Sequence, residues 1–286
     1  MTIPRVCAAL IPVVGLAASA QAIVIRHDIA DQAYLDYAQQ DQFSPVGRMI
    51  FQSEDSMYFS GSGTLVGERW VLTAAHVAEN AAENDWFFDT GTGTQRVQAD
   101  QVYYHPDWFD DGGATNGDMA LIHLSEPILN VDPAALWSGS TPYGEEVSLI
   151  GFGGTGDGIN GWDGGYDLQR RAGTNILENP DFFGNEYLGF DFDDPAGGEA
   201  TDLEAMLMFG DSGGAIMAQT ASGWELIGVN TFIAVFGDEY GMYGDLSGST
   251  SVGFHNDWIQ SVIPSPAAWS VFAVGLVGVS RRRRAG

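Results

Sequence analysis

Three short segments carry side chains whose types suit joint chemistry. His76 ends the run Trp70-Val71-Leu72-Thr73-Ala74-Ala75-His76, Asp118 opens the apolar stretch Asp118-Met119-Ala120-Leu121-Ile122, and Ser212 lies in Gly210-Asp211-Ser212-Gly213-Gly214. A serine hydroxyl is a weak nucleophile until a base takes its proton. An imidazole, which titrates near neutrality, suits that task. A buried carboxylate fixes the ring's tautomer and stabilises the imidazolium that forms. Small residues beside His76 let its ring reach a cleft. An aspartate at the head of an apolar strand can be buried and hydrogen-bonded. The glycines around Ser212 bring backbone N–H groups close to its hydroxyl, and those of Gly210 and Ser212 are the candidate oxyanion donors.

The elements that must hold these residues read as strands. Short apolar runs such as Gly63–Val66, Trp70–Leu72, Met119–Ile122, Val147–Phe152 and Leu226–Val229 are separated by Gly-, Asn- and Asp-rich turns. No alternation of strand and helix appears, which argues against a parallel α/β sheet. Helices are expected only at Ile29–Gln39, in a turn after His76 and over Asn256–Val262. The cluster of Pro, Ser, Gly and Thr in 133–143 divides the body into two halves. The loops 153–166 and 181–200 read as irregular.

Thr73-Ala74-Ala75-His76, Asp118-Met119-Ala120-Leu121 and Gly210-Asp211-Ser212-Gly213-Gly214 resemble the three signature motifs of the chymotrypsin/trypsin family of serine proteases, in that family's order. The first pair is 42 residues apart and the second 94. The resemblance covers about residues 23–263. It implies an all-β fold of two antiparallel six-stranded barrels with the site in the cleft between them. It also implies endopeptidase activity on protein or peptide substrates, with no cofactor. By the same resemblance, the residue six before the serine, Met206, stands at the floor of the primary substrate pocket, and Thr231-Phe232-Ile233 forms its wall. That predicts an apolar residue before the cleaved bond; a loop shifted by two residues would bring in Glu204 and favour a basic one. The resemblance further implies that a new N-terminal Ile or Val folds inward to pair with the aspartate preceding the nucleophile. Here those residues are Ile23 and Asp211, with Arg26 or backbone donors as other partners for Asp211.

Two other classes of function each fit part of the sequence. Gly210-Asp211-Ser212-Gly213-Gly214 also fits the G-x-S-x-G elbow of esterase-type hydrolases, with Asp245 and His255 as partners, but an elbow requires a helix after the serine. Ala215-Ile216-Met217-Ala218 and the turn Thr220–Gly223 predict a hairpin instead. A catalytically silent binding module on a protease-like scaffold is disfavoured by the presence of all three chemical residues. His27, His105, His123 and His255 read as ordinary satisfied polar residues. Asp107–Asp111 and Asp191–Asp194 carry carboxylates suited to calcium, but without EF-hand spacing they read as solvated loops, and no metal site is assigned.

Both ends look like targeting segments. Arg5, the apolar run Val6–Ala18 and Ala20-Gln21-Ala22 fit a signal peptide over residues 1–22, to be removed by signal peptidase after Ala22. Pro264-Ser265-Pro266, an apolar run to Ser280 and Arg281–Arg284 resemble the PEP-CTERM sorting tails of bacterial exported proteins, with Ser265 where that pattern has Glu. From Val262 to Ser280 the 19 residues are long enough to cross a bilayer. The arginines would remain on the cytoplasmic side. Residues 264–286 are therefore expected to anchor an exported, cell-surface protein until a sorting protease acts. The 286-residue chain has a formal net charge of -27, no lysine, and one cysteine, Cys7, in the leader. Such acidity repels nucleic acid and anionic membrane surfaces. The body has no cysteine for a disulfide or a thiol nucleophile.

Overall fold

A computed structural model of the chain describes residues 23–52, 58–79, 85–108, 117–178 and 186–263. The leader 1–22, the tail 264–286, Asn116, most of the acidic run Asp107–Asp111 and residues 181–185 of the expected loop 181–200 lie outside the described residues.

The apolar runs of the first half close into a six-stranded barrel. Its order is Val46–Gln52, Tyr58–Gly67, Trp70–Thr73, Ala120–Leu124, Thr94–Tyr104 and Asp85–Asp89, which pairs back to the first strand. Met49, Leu65, Val71, Trp86, Phe88 and Leu121 fill it. The second half is built from Arg171–Ile176, Glu146–Gly151, Ala215–Thr220, Gly223–Ala234, Leu246–Ser251 and Tyr187–Asp191 in that order, with Ala135–Leu136 added in parallel to Gly223–Ala234. Its two edge strands approach through a single bridge, Glu178 to Gly189, so this barrel is less completely closed than the first. Val147, Leu149, Leu188, Phe190, Ile216 and Ile227 form its core.

A third, smaller sheet was not legible in the sequence. Ile23–Ile25 runs parallel to Thr155–Asp157 and antiparallel to Ala205–Met206, and all three of its residues are buried. The first described residues are thus woven into the second half. Among the described residues the α-helices are Asp31–Tyr37, Ala75–Ala78 and Val252–Val262. The last begins four residues before the expected Asn256, because the Ser251 hydroxyl accepts the Phe254 N–H and caps it. In the absence of a disulfide, Arg171 holds the Asp31–Tyr37 helix against the second sheet. Its fully buried guanidinium donates to both oxygens of Asp31, at 2.6 and 2.9 Å, and to both of Asp167, at 3.0 and 2.8 Å. A planar guanidinium suits such paired bidentate contacts.

Candidate active site

Strand register brings His76 and Asp118 together. Thr73 pairs with Ala120 at the end of two antiparallel strands. The chain leaving Thr73 and the chain arriving at Ala120 therefore lie side by side, with His76 three residues beyond one and Asp118 two before the other. One Asp118 oxygen accepts the His76 backbone N–H at 3.0 Å, and the other lies 2.8 Å from the ring Nδ1. This double contact fixes both the main chain and the ring of His76. Asp118 is 3% exposed, whereas the His76 side chain keeps 35% of its surface. The pair thus has a dry end and an open end.

The Ser212 turn is laid directly on the same barrel. The Ser62 N–H donates to the Ser212 carbonyl at 2.8 Å, and the Ser62 hydroxyl donates to the Gly210 carbonyl at 3.0 Å. Gly213 has φ +81°, and a side chain there would collide with Thr73 Oγ1 and the Ser62 carbonyl. Only glycine allows the turn to approach the strand that leads to His76 so closely. The Gly213 N–H donates to the Asn230 carbonyl at 2.7 Å and the Gly214 N–H to the Asp211 carbonyl at 2.9 Å. Among the described residues, the amides of Gly210 and Ser212 have no acceptor within the protein.

His76 and Ser212 share one cavity of about 300 Å³ with Leu207, Met208, Phe209, Thr231, Phe232 and Ile233. Thr231, Phe232 and Ile233, the expected wall residues, are among this lining. Met206 does not line the cavity, contrary to the ungapped count. It pairs with Val24 in the small sheet and is fully buried with Phe192 and Met208, so the lining begins at Leu207. Glu204 is also absent from the lining. It accepts from the Thr201 N–H and hydroxyl and from Asn175, and burial pushes its carboxyl up to about 7.

Asp211 is fully buried beneath the serine turn. Its carboxylate accepts the Gly153 N–H and the Met208 N–H, each at 2.8 Å, and the Ile23 backbone N–H. Burial pushes its carboxyl up to about 7, and these donors, with the charge of Arg171, oppose the rise. Arg26 instead pairs with Asp28 and donates to the Thr201 carbonyl.

The esterase arrangement is not assembled. A strand, Ala215–Thr220, follows Ser212 in a hairpin with Gly223–Ala234. Asp245 accepts three backbone N–H groups of the 236–242 loop, and His255 lies buried against His105; neither lines the Ser212 cavity.

The family model named Trypsin matches residues 39–259, and the chain belongs to that family. It is 27% identical to the complement C1s subcomponent of Sus scrofa over 238 residues, which covers 73% of this chain and 33% of that protein. It is 30% identical over 84 residues to the human chymotrypsin-like elastase family member 1, covering 27% of this chain and 33% of the relative. The chain thus spans about a third of the length of these curated relatives. A solved structure of neuropsin, a serine protease expressed in the limbic system of mouse brain, superposes with a TM-score of 0.62 at 19% identity, covering 79% of this chain and 97% of that one. That likeness concerns the fold.

Proposed function

We propose that this chain is a secreted serine endopeptidase. The observation that carries the reading is the doubly held Asp118–His76 pair opening into the cavity that Ser212 lines. In this mechanism His76 Nε2 takes the Ser212 hydroxyl proton as Oγ attacks the scissile carbonyl. Asp118 fixes the hydrogen of His76 on Nδ1 and stabilises the imidazolium. The free amides of Gly210 and Ser212 receive the developing oxyanion, each such donor being worth about 3 kcal/mol in the transition state. His76 then passes the proton to the leaving amine, which departs and leaves an acyl-Ser212 ester. Water, deprotonated by the same imidazole, hydrolyses the ester. A fluorophosphonate probe tests the reading: labelling should be confined to Ser212, and an unlabelled wild-type protein would favour the silent binding module.

The cavity walls predict the substrate class. Apart from His76, Ser212 and Thr231, the lining side chains are apolar, and no carboxylate is among them. A guanidinium or ammonium placed there would lose its water without gaining a partner. Peptide-library profiling is expected to show cleavage after apolar residues favoured over cleavage after Arg or Lys by roughly 100-fold. Preferred cleavage after Arg would overturn this assignment.

The two end segments support export as part of the proposal. Signal peptidase is proposed to cut after Ala22, and residues 264–286 to retain the protein at the membrane until a sorting protease acts. Among the described residues no helix is long and apolar enough to cross a membrane. Fractionation should find the full chain with membranes and a chain ending at Ile263 in the medium. Equal release of both would remove the anchor from the proposal.

A further inference from the structure

A second polar assembly meets the backbone beside Asp118, and none of its residues lines the cavity. The Gly117 N–H donates to Glu186 Oε1 at 2.6 Å. His255 Nε2 lies 3.2 Å from the same oxygen, and His255 Nδ1 lies 3.1 Å from His105 Nε2. The His105 Nδ1 accepts the Asp107 N–H at 3.2 Å. His105 and His255 are 7% and 4% exposed, and their rings meet edge to face, with Trp258 against His105.

The donor order along this chain follows from its two ends. The Asp107 amide only donates, so His105 carries its hydrogen on Nε2. That hydrogen points to His255 Nδ1, which must accept it. His255 then carries its own hydrogen on Nε2, toward a carboxylate that only accepts. The last contact is bent out of hydrogen-bond alignment, and among the described residues His255 Nε2 has no aligned partner, so the Glu186 charge is what holds it. The arrangement requires both rings neutral. Burial lowers both, His255 to about 4, so the pair stays neutral where a protease imidazole works. The other titratable groups around it are the exposed Asp107, 3.9 Å from His105 Nδ1, and Tyr187 beside Glu186.

This assembly bears on the backbone that carries Asp118. Gly117 has φ +73°, and a Cβ there would stand 2.6 Å from His105 Nδ1, so the turn is pressed against that ring. The His105 N–H donates to the Met119 carbonyl at 3.0 Å, and the Thr250 hydroxyl donates to the Asp118 carbonyl at 3.3 Å. Residues 117, 118 and 119 are thus each held by groups from other segments, and Glu186 holds the first of them.

We infer that Glu186, oriented by the His255–His105 pair, is a positioning residue that sets the Asp118 carboxylate against His76. This rests on the reading of His76 and Asp118 as catalytic partners. Glu186→Ala frees the Gly117 amide and lets Asp118 retreat from the ring. A small misplacement of a catalytic group costs up to about 100-fold, and we expect kcat to fall about tenfold with KM within about twofold of wild type. A weaker carboxylate contact also stabilises the imidazolium less, so the acid limb of kcat/KM moves to lower pH. Glu186→Gln keeps an acceptor for Gly117 and should recover most of the loss. Rates are referred to active sites counted with the fluorophosphonate probe. Wild-type kcat and acid limb in Glu186→Ala overturn the inference, and so does activity lost only in proportion to the active-site count. Should Glu186→Ala not fold, His255→Phe decides. It keeps the ring volume but removes both nitrogens, and is expected to lower kcat about threefold with the same direction of limb shift; an unmoved limb overturns the inference. Failure of the catalytic reading itself would appear separately, as wild-type protein that the probe does not label at Ser212.

Discussion

Ser212→Ala is expected to lower peptide hydrolysis by roughly five to six orders of magnitude while leaving the fold intact. The hydroxyl supplies the only bond the enzyme makes to its substrate in the proposed route, so nothing replaces it. Loss of the hydroxyl should not disturb the turn, because the contacts that shape it are made by main-chain groups, by the Ser62 hydroxyl and by Asp211. The Ser212 carbonyl is held by the Ser62 amide, Gly213 by Asn230 and Asp211 by Gly153 and Met208. Thermal unfolding of the variant should therefore stay within a few degrees of wild type. His76→Ala should be nearly as inactive, because residues acting as one unit fail together. Casein cleavage by purified Ser212→Ala at the wild-type rate would refute the assignment of the nucleophile. Loss of both activity and cooperative unfolding would mean that the turn depends on the hydroxyl after all.

The parts of this site that the sequence disclosed are those governed by local pattern. Thr73 and Ala120 end recognisable apolar runs, so a histidine just after one and an aspartate just before the other could be matched to a family motif. The glycines flanking Ser212 were visible for the same reason. What remained hidden depends on pairing between distant segments. An ungapped count puts Met206 at the pocket floor, but Val24 draws it into a sheet that no local periodicity announces. The separation of Leu207 from Met206 is a consequence of that pairing, not of composition. His105 and His255 each looked like ordinary polar residues. Their contact requires the terminal helix to lie against the segment before Asp118, and Glu186 reaches the same place from a third segment. A histidine beside Pro106 and another on a helix bearing Trp258 gave no sign of it. The partial opening of the second barrel was equally invisible, since it depends on how the two edge strands meet rather than on the residues within them.

Cleavage of the Ala22–Ile23 bond is expected to raise kcat/KM at least about 100-fold over a form carrying Gly-Ser ahead of Ile23. The Ile23 backbone nitrogen already donates to the buried Asp211 carboxylate, and Ile23 has φ +52°. A β-branched residue in that region is strained by roughly 1–3 kcal/mol. Hydrolysis of the preceding peptide removes the torsion that is strained and converts an amide donor into an ammonium beside the carboxylate. Full burial of Ile23 helps hold the new terminus in place, against the cost of desolvating the ion pair. Asp211 lies next to Ser212, so a settled carboxylate orders the turn that presents the Gly210 and Ser212 amides. The change should also be visible in stability. With its pKa raised to about 7, Asp211 stays protonated in the folded extended form at pH values where the unfolded chain has already lost the proton. The folded state then binds more protons, and stability falls as pH rises from about 4 to about 7. An ammonium at Ile23 favours the charged carboxylate and removes that part of the fall. Glu204, also raised to about 7, contributes with the same sign in both forms and cancels in the comparison. Melting temperatures measured at pH 5 and pH 8 should therefore diverge more for the extended form than for the form starting at Ile23. Equal cleavage rates together with parallel pH profiles would show that backbone donors alone hold Asp211, and that no terminal ammonium is needed.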